Sequence, residues 1–209
     1  GPSLPSRLMA AFVYLASASP RRRELLTQLG VDCRVVPAAV DESRKPEETP
    51  DRYVTRLAQD KAAASRLTLG KVPELVIGAD TAVVIDDRIL GKPRDGKEAE
   101  AMLMALSGRC HEVVTGVAVI GPDDRQVRLS RSRVCFRALS PEEVRAYWAT
   151  GEPADKAGAY AIQGLGAMFV ASLKGSYTGV VGLPLYETAQ LLTAFGYGLL
   201  LPGRNATHG

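Results

Sequence analysis

Three consecutive arginines, Arg21-Arg22-Arg23, follow Ser17-Ala18-Ser19-Pro20 where an apolar run, Phe12 to Ala16, gives way to a helical pattern. Ser19 suits an N-cap and Pro20 suits the first helical position. Arginines in a first turn oppose the helix macrodipole, which is already positive there. A fold tolerates that cost most easily where an anion binds. Free N–H groups and guanidinium forks together are the ingredients of a phosphate site. Taken alone, the segment reads equally as a solvated arginine cluster at the start of a surface helix.

Further chemistry-bearing residues are spread along the chain. Asp41-Glu42 follows a strand-like run at 33–37, and such paired carboxylates can hold a hard cation. Lys61 lies in a helical pattern with Arg56 and Asp60, and Ala62-Ala63-Ala64 leaves room for its ammonium to reach a cleft. Leu75 to Ala79 reads as a buried strand ending in a small-residue turn that carries Asp80 and Thr81. An acid at a strand's carboxyl end can bind metal or take a proton from water. Lys92 sits in a Gly-Lys-Pro turn. The irregular stretch Gly151 to Gly166 presents Asp155, Lys156 and Gln163, and a structureless stretch of that length usually serves function. The Gln163 amide both donates and accepts, so it can read a base edge, with Tyr177 as a candidate stacking ring.

These residues need a frame. Strand-like runs fall at 12–16, 33–37, 75–79, 82–85, 112–120, 126–137 and 167–173, and helical patterns at 20–29, 50–68, 95–106, 140–149 and 184–195. Asp86-Asp87 and Gly121-Pro122-Asp123-Asp124 read as hairpin turns. The alternation predicts an α/β protein with a mixed central β-sheet flanked by helices. One domain is expected over 12–196, with a cleavage scar and disordered N-terminus at 1–8 and a tail at 197–209.

The chain has 209 residues, 46% hydrophobic, with a formal net charge of +3. That charge is too small and too dispersed for a nucleic-acid binder. No apolar run is long enough for a membrane span, and no segment reads as a signal peptide. Cys33, Cys110 and Cys135 lack metal-ligand spacing and are expected as free thiols, Cys33 and Cys135 as buried and inert ones. A reducing, cytoplasmic setting is the corresponding expectation. Only two histidines occur, His111 and His208, which argues against zinc and against a Ser-His-Asp triad. Any metal must be held by carboxylates and by the ligand's own phosphates, as Mg2+ or Mn2+ would be.

Taken in order, Ser-Ala-Ser-Pro-Arg-Arg, Asp-Glu, Lys-Ala, Gly-Ala-Asp-Thr, Gly-Lys-Pro, Ser-Gly, Asp-Lys-Ala-Gly-Ala-Tyr, Ile-Gln-Gly and Val-Gly-Leu-Pro closely resemble the Maf family of nucleotide pyrophosphatases, also called septum-formation inhibitors. The resemblance runs from about Val13 to Phe195. It implies a fold like that of inosine triphosphate pyrophosphatases and metal-dependent cleavage of a nucleoside triphosphate to monophosphate and pyrophosphate. By matching motif it makes Asp80 the proton acceptor and ties Arg21, Thr81 and Gln163 to substrate choice. Arg22, Glu42, Lys61 and Lys92 match the polar pocket. Ser17, Ser19, Asp155 and Lys156 complete the expected substrate-binding set, and Glu42 with Asp80 is the expected metal pair. Gly-Ala-Asp-Thr with Ile-Gln-Gly resembles the branch acting on dTTP and UTP, not the 7-methyl-GTP branch with its Gly-Ser-Asp-Gln. A homodimer is also implied. The rival expectation is a nucleotide-binding regulator of cell division that acts through partners without turnover; Asp80 and the lysines favour the enzyme.

Overall fold

The structure, a computed structural model, describes residues 12–200. The expected scar at 1–8, His208 and most of the expected tail lie outside the described residues. Strand β1 (Phe12–Leu15) runs parallel to β2 (Asp32–Val35) and to the start of β3 (Val76–Ile85). The rest of the sheet is antiparallel: β3 pairs with β5 (Cys110–Ile120), β5 with β6 (Arg125–Phe136), and β6 with β7 (Val170–Lys174). A short β4 (Arg88–Leu90) folds back on the end of β3 through Asp86-Asp87, both left-handed at φ 51° and 59°. The strand order is β2-β1-β3-β5-β6-β7, with β4 off this path. The mixed sheet expected from the sequence is therefore present.

The helices start where their cap residues dictate. In α2 (Pro50–Leu69), Thr49 accepts a hydrogen bond from the Arg52 N–H, and Pro50 occupies the first turn. Asp95 does the same for α3 (Gly96–Leu106). Ser140 and Glu143 form a capping box on α4 (Pro141–Ala149). The first helix, α1 (Pro20–Gln28), is an exception, as is the last, which follows Pro184. Ser19 holds the N-cap position, but its side chain makes no capping bond. Two further helices, α5 (Tyr177–Val181) and α6 (Leu185–Ala194), close the chain. Helix α2 covers one face of the sheet, with Val54 and Ala62 against Ala82, Val114, Val76 and Ile120. The other face carries the main core, where Leu25, Leu26, Leu103, Leu106, Val144 and Leu191 bury Leu15, Ile77, Val117 and Val119. Tyr197 is 2% exposed within that core, so the packed body extends past residue 196.

Three expectations are corrected. The small residues around Asp80 do not make a turn. β3 runs unbroken through them, in continuous register with β5 from Val76↔Ile120 to Val84↔Glu112. Their smallness serves helix packing: a Cβ at Gly78 would lie 2.2 Å from the Ala58 carbonyl oxygen, and one at Gly116 would lie 2.6 Å from that of Val54. The run expected as a strand at 167–173 is divided between a 3-10 turn (Leu165–Phe169) and β7. Finally, Cys110 and Cys135 are a disulfide, not free thiols. They stand directly opposite each other on β5 and β6, a register that sequence spacing does not reveal. Cys33 is free. The inference from cysteine usage to a reducing compartment thereby loses its premise. No helix among the described residues is long and apolar enough to cross a membrane.

His111, next to the disulfide, is buried in the core. It is 3% exposed, packs edge-on to Phe136 and Tyr160, and shares a 2.7 Å hydrogen bond with the Tyr160 hydroxyl. Burial lowers its pKa from 6.5 to about 4. Between those values the unfolded chain binds a proton that the folded chain refuses. Stability therefore falls as pH drops through this window, by up to about 3 kcal/mol. Urea midpoints measured from pH 7 to pH 4 should show this decline, and His111→Gln should flatten it. An unchanged slope in the variant would assign the acid sensitivity elsewhere.

Candidate active site

The site exists because the sheet splits. On one edge of β3, β1 pairs only as far as Ile77 and β4 begins only at Val83. Residues 78–82 have no strand on that edge among the described residues. A cleft of 730 Å³ opens there, and its lining includes the twelve residues of the expected catalytic and substrate-binding set: Ser17, Ser19, Arg21, Arg22, Glu42, Lys61, Asp80, Thr81, Lys92, Asp155, Lys156 and Gln163. Successive strand residues point to opposite faces. Asp80 therefore faces α2 while Thr81 faces α1 and α5, and the gap gives both access to one cavity.

On the α2 face, close packing at Gly78 sets Lys61 against Asp80. The Lys61 ammonium donates to Asp80 Oδ1 at 2.8 Å and pairs with Glu42 Oε1 at 3.1 Å. Asp80 is 13% exposed at its side chain and Glu42 62%. Burial raises the Asp80 pKa above the ordinary aspartate value, while Lys61 and Arg22 pull it back. Asp41 does not join its neighbour in the cleft: its carboxylate accepts from the Ser43 N–H at 2.9 Å. Arg56 pairs with Glu48 at 2.6 Å and donates to the Ser43 carbonyl at 3.0 Å, which holds the loop carrying Glu42.

On the opposite face, Arg22 is fixed at three points. Its Nε donates to the Gly182 carbonyl at 2.7 Å, Nη2 to Thr81 Oγ1 at 3.2 Å and Nη1 to Ser17 Oγ at 3.5 Å. A guanidinium has five N–H donors. These three bonds leave one on each terminal nitrogen, the pair that grips a phosphate bidentately. Burial lowers the Arg22 pKa, and Asp80 opposes the shift. Arg21 lies beside it, and the uncapped first turn of α1 lines the same wall.

The far wall is the irregular stretch. Lys156 pairs with Asp155, and Lys92 and Gln163 are exposed on the rim. The stretch is clamped from behind by residues that the sequence did not single out. Glu152 accepts from the backbone N–H groups of Leu165 (2.8 Å) and Gly166 (3.1 Å) and from the Tyr147 hydroxyl, which itself accepts from Ala161 N–H at 3.1 Å. Gln163 lies between those anchors. Tyr53 was also missed: it lines the cleft and its hydroxyl donates to the Glu42 carbonyl at 2.5 Å. Conversely Tyr177, the candidate stacking ring, is 50% exposed and is not part of the cleft lining.

Among the described residues no group of three or more His, Cys, Asp or Glu side chains could by itself hold a metal ion. Glu42 and Asp80 offer two hard oxygen ligands on one ammonium. That donor set fits Mg2+ or Mn2+ completed by substrate phosphates, and does not fit a cation needing a full protein cage.

The chain that builds this split mixed sheet, its acid–lysine pair and its pinned arginine belongs to the Maf-like protein family, which it matches over residues 12–195. Among its relatives are the dTTP/UTP pyrophosphatase of Saccharophagus degradans, 55% identical over 89% of this chain and 90% of that protein, and the dTTP/UTP pyrophosphatase of Alkalilimnicola ehrlichii, 53% identical over 88% and 92%. The chain is also similar to the Ham1 protein of Staphylococcus aureus, with 17% identity over 59% of this chain and 71% of that one, at a TM-score of 0.43.

Proposed function

We propose that this protein hydrolyses dTTP and UTP to the monophosphate and pyrophosphate, clearing the nucleotide pool. The observation that carries the reading is the Lys61 ammonium held between Asp80 and Glu42, across the cleft from the two spare donors of Arg22. Relatives named for this activity, at more than half identity, support the substrate class.

In this reading the uncapped N-terminus of α1, Arg21 and Arg22 hold the triphosphate. Asp80 orients a water against the α-phosphorus and takes its proton. Its raised pKa suits it to that task better than an ordinary surface carboxylate. Lys61 and Lys92 neutralise charge that builds on the departing pyrophosphate. Glu42 and Asp80 would hold a divalent cation, which supplies charge neutralisation on the phosphate oxygens. Thr81 and Gln163 are uncharged hydrogen-bonding groups suited to the neutral edge of a uracil-type ring, whereas a cationic methylated guanine favours an acid or an aromatic sandwich.

A nucleotide panel with Mg2+ or Mn2+, resolved by product, tests the reading. dTTP and UTP are expected as the best substrates, released as monophosphate plus pyrophosphate, with turnover abolished by EDTA and restored by either cation. Diphosphate plus phosphate as products, or 7-methyl-GTP as the best substrate, would overturn it.

A further inference from the structure

Thr115 lies on β5 directly opposite Thr81 and is 1% exposed. Its hydroxyl donates to the Gly179 carbonyl of α5 at 2.8 Å and lies 2.9 Å from Thr81 Oγ1. A hydroxyl carries one proton. Thr115 spends its own on a carbonyl, which can only accept. Thr81 must therefore be the donor in the Thr81–Thr115 bond. With that proton committed, Thr81 Oγ1 faces the cleft as an acceptor, and it accepts from Arg22 Nη2 at 3.2 Å. The direction of the whole chain is thus fixed: Arg22 to Thr81 to Thr115 to the Gly179 carbonyl.

We propose that Thr115, buried behind the cleft and touching no substrate, is a positioning residue that fixes Arg22 for the triphosphate by holding the Thr81 hydroxyl as an acceptor. The inference rests on the reading of Arg22 as a phosphate ligand. Without Thr115 as a sink for its proton, the Thr81 hydroxyl is free to rotate. It can then point that proton toward the guanidinium and lose the bond that aims it. The same chain ties α5 to α1, since Gly179 and Gly182, whose carbonyls end two of these bonds, both belong to the α5 segment. Arg22 is therefore held from two sides by one short segment.

The test is a cycle of Thr115→Val and Arg22→Ala, with kcat and KM for dTTP measured in each. Valine keeps the shape and removes the hydroxyl. Thr115→Val is expected to raise KM about three- to tenfold, the effect of one net hydrogen bond, with kcat nearly unchanged. Thr115→Ser, which restores the hydroxyl, is expected to bring KM back. In the Arg22→Ala background the Thr115→Val change should add nothing, because the two residues act through one contact. A merely structural role would cost the same factor in both backgrounds, and that result overturns the proposal, as does an unchanged KM in Thr115→Val. Should Thr115→Val fail to fold, Thr115→Ala takes its place in the same cycle. If Arg22→Ala itself leaves KM for dTTP unchanged, the phosphate reading of Arg22 falls and this proposal falls with it. If Arg22→Ala weakens dTTP while Thr115 variants are silent, only this proposal falls.

Discussion

Asp80→Asn folds normally and loses about 10²–10⁴-fold in turnover, the usual cost of removing a general base. Asparagine keeps the size and can still accept from Lys61, so the wall of the cleft stays in place. What disappears is the ability to take a proton. The pH profile gives an independent readout. Burial raises the Asp80 pKa in the metal-free fold despite Lys61 and Arg22, and protonation of this carboxyl removes the base, so kcat/KM in the parent has an acid limb set by Asp80. The residual activity of the variant should lack this limb. Stability moves the other way. A carboxyl whose folded pKa is raised binds its proton more tightly in the folded state, so stability is lost as pH rises through that window. At pH 7 the charged Asp80 burdens the fold, and Asp80→Asn should melt no lower than the parent. Near-parental turnover of dTTP by a well-folded variant would remove Asp80 from the chemistry.

Much of this site was legible because its residues carry their chemistry in their types. Arginines in a helix's first turn, a lysine among alanines and an aspartate after an apolar run all line the cleft. The helices were legible for a similar reason: their patterns are local, and Thr49, Asp95 and Ser140 cap three of them in the structure. What stayed hidden was set by pairing between distant strands. Asp80 reads as the end of a strand because Gly78 and Ala79 are small. Yet β5 pairs straight through it, and the gap that exposes it belongs to β1 and β4. The Thr81–Thr115 contact follows from the β3–β5 register and the Cys110–Cys135 disulfide from the β5–β6 register, and a shift of one residue in either pairing would abolish its contact. Glu152 was invisible for another reason: its partners are backbone N–H groups, and any sequence supplies those. Ser19 shows the converse failure. It has the right type at the right position, yet leaves the first turn of α1 uncapped.

Lys61→Met is expected to combine two defects that pH can separate. In the parent, one ammonium lies 2.8 Å from Asp80 and 3.1 Å from Glu42. Methionine keeps much of the length and removes the ammonium, so the two carboxylates then share the space with only the divalent cation of the assay left to offset them. Each disfavours ionisation of the other, and Asp80 also loses the partner that most opposes its burial. Its pKa therefore rises further, and the acid limb of kcat/KM moves to higher pH than in the parent. Raising the pH ionises Asp80 again and recovers that part of the loss. It cannot replace the positive charge facing the departing pyrophosphate. A pH-independent deficit of about 10²–10³-fold should remain on the plateau, as for removal of a single electrostatic stabiliser. Profiles of kcat/KM for dTTP at a fixed saturating cation concentration, run side by side with the parent, read both quantities. Full recovery at high pH would confine Lys61 to holding Asp80 ionised. An acid limb that stays where it was would show that Lys61 and the base are not coupled, and the mechanism built on their contact would fail.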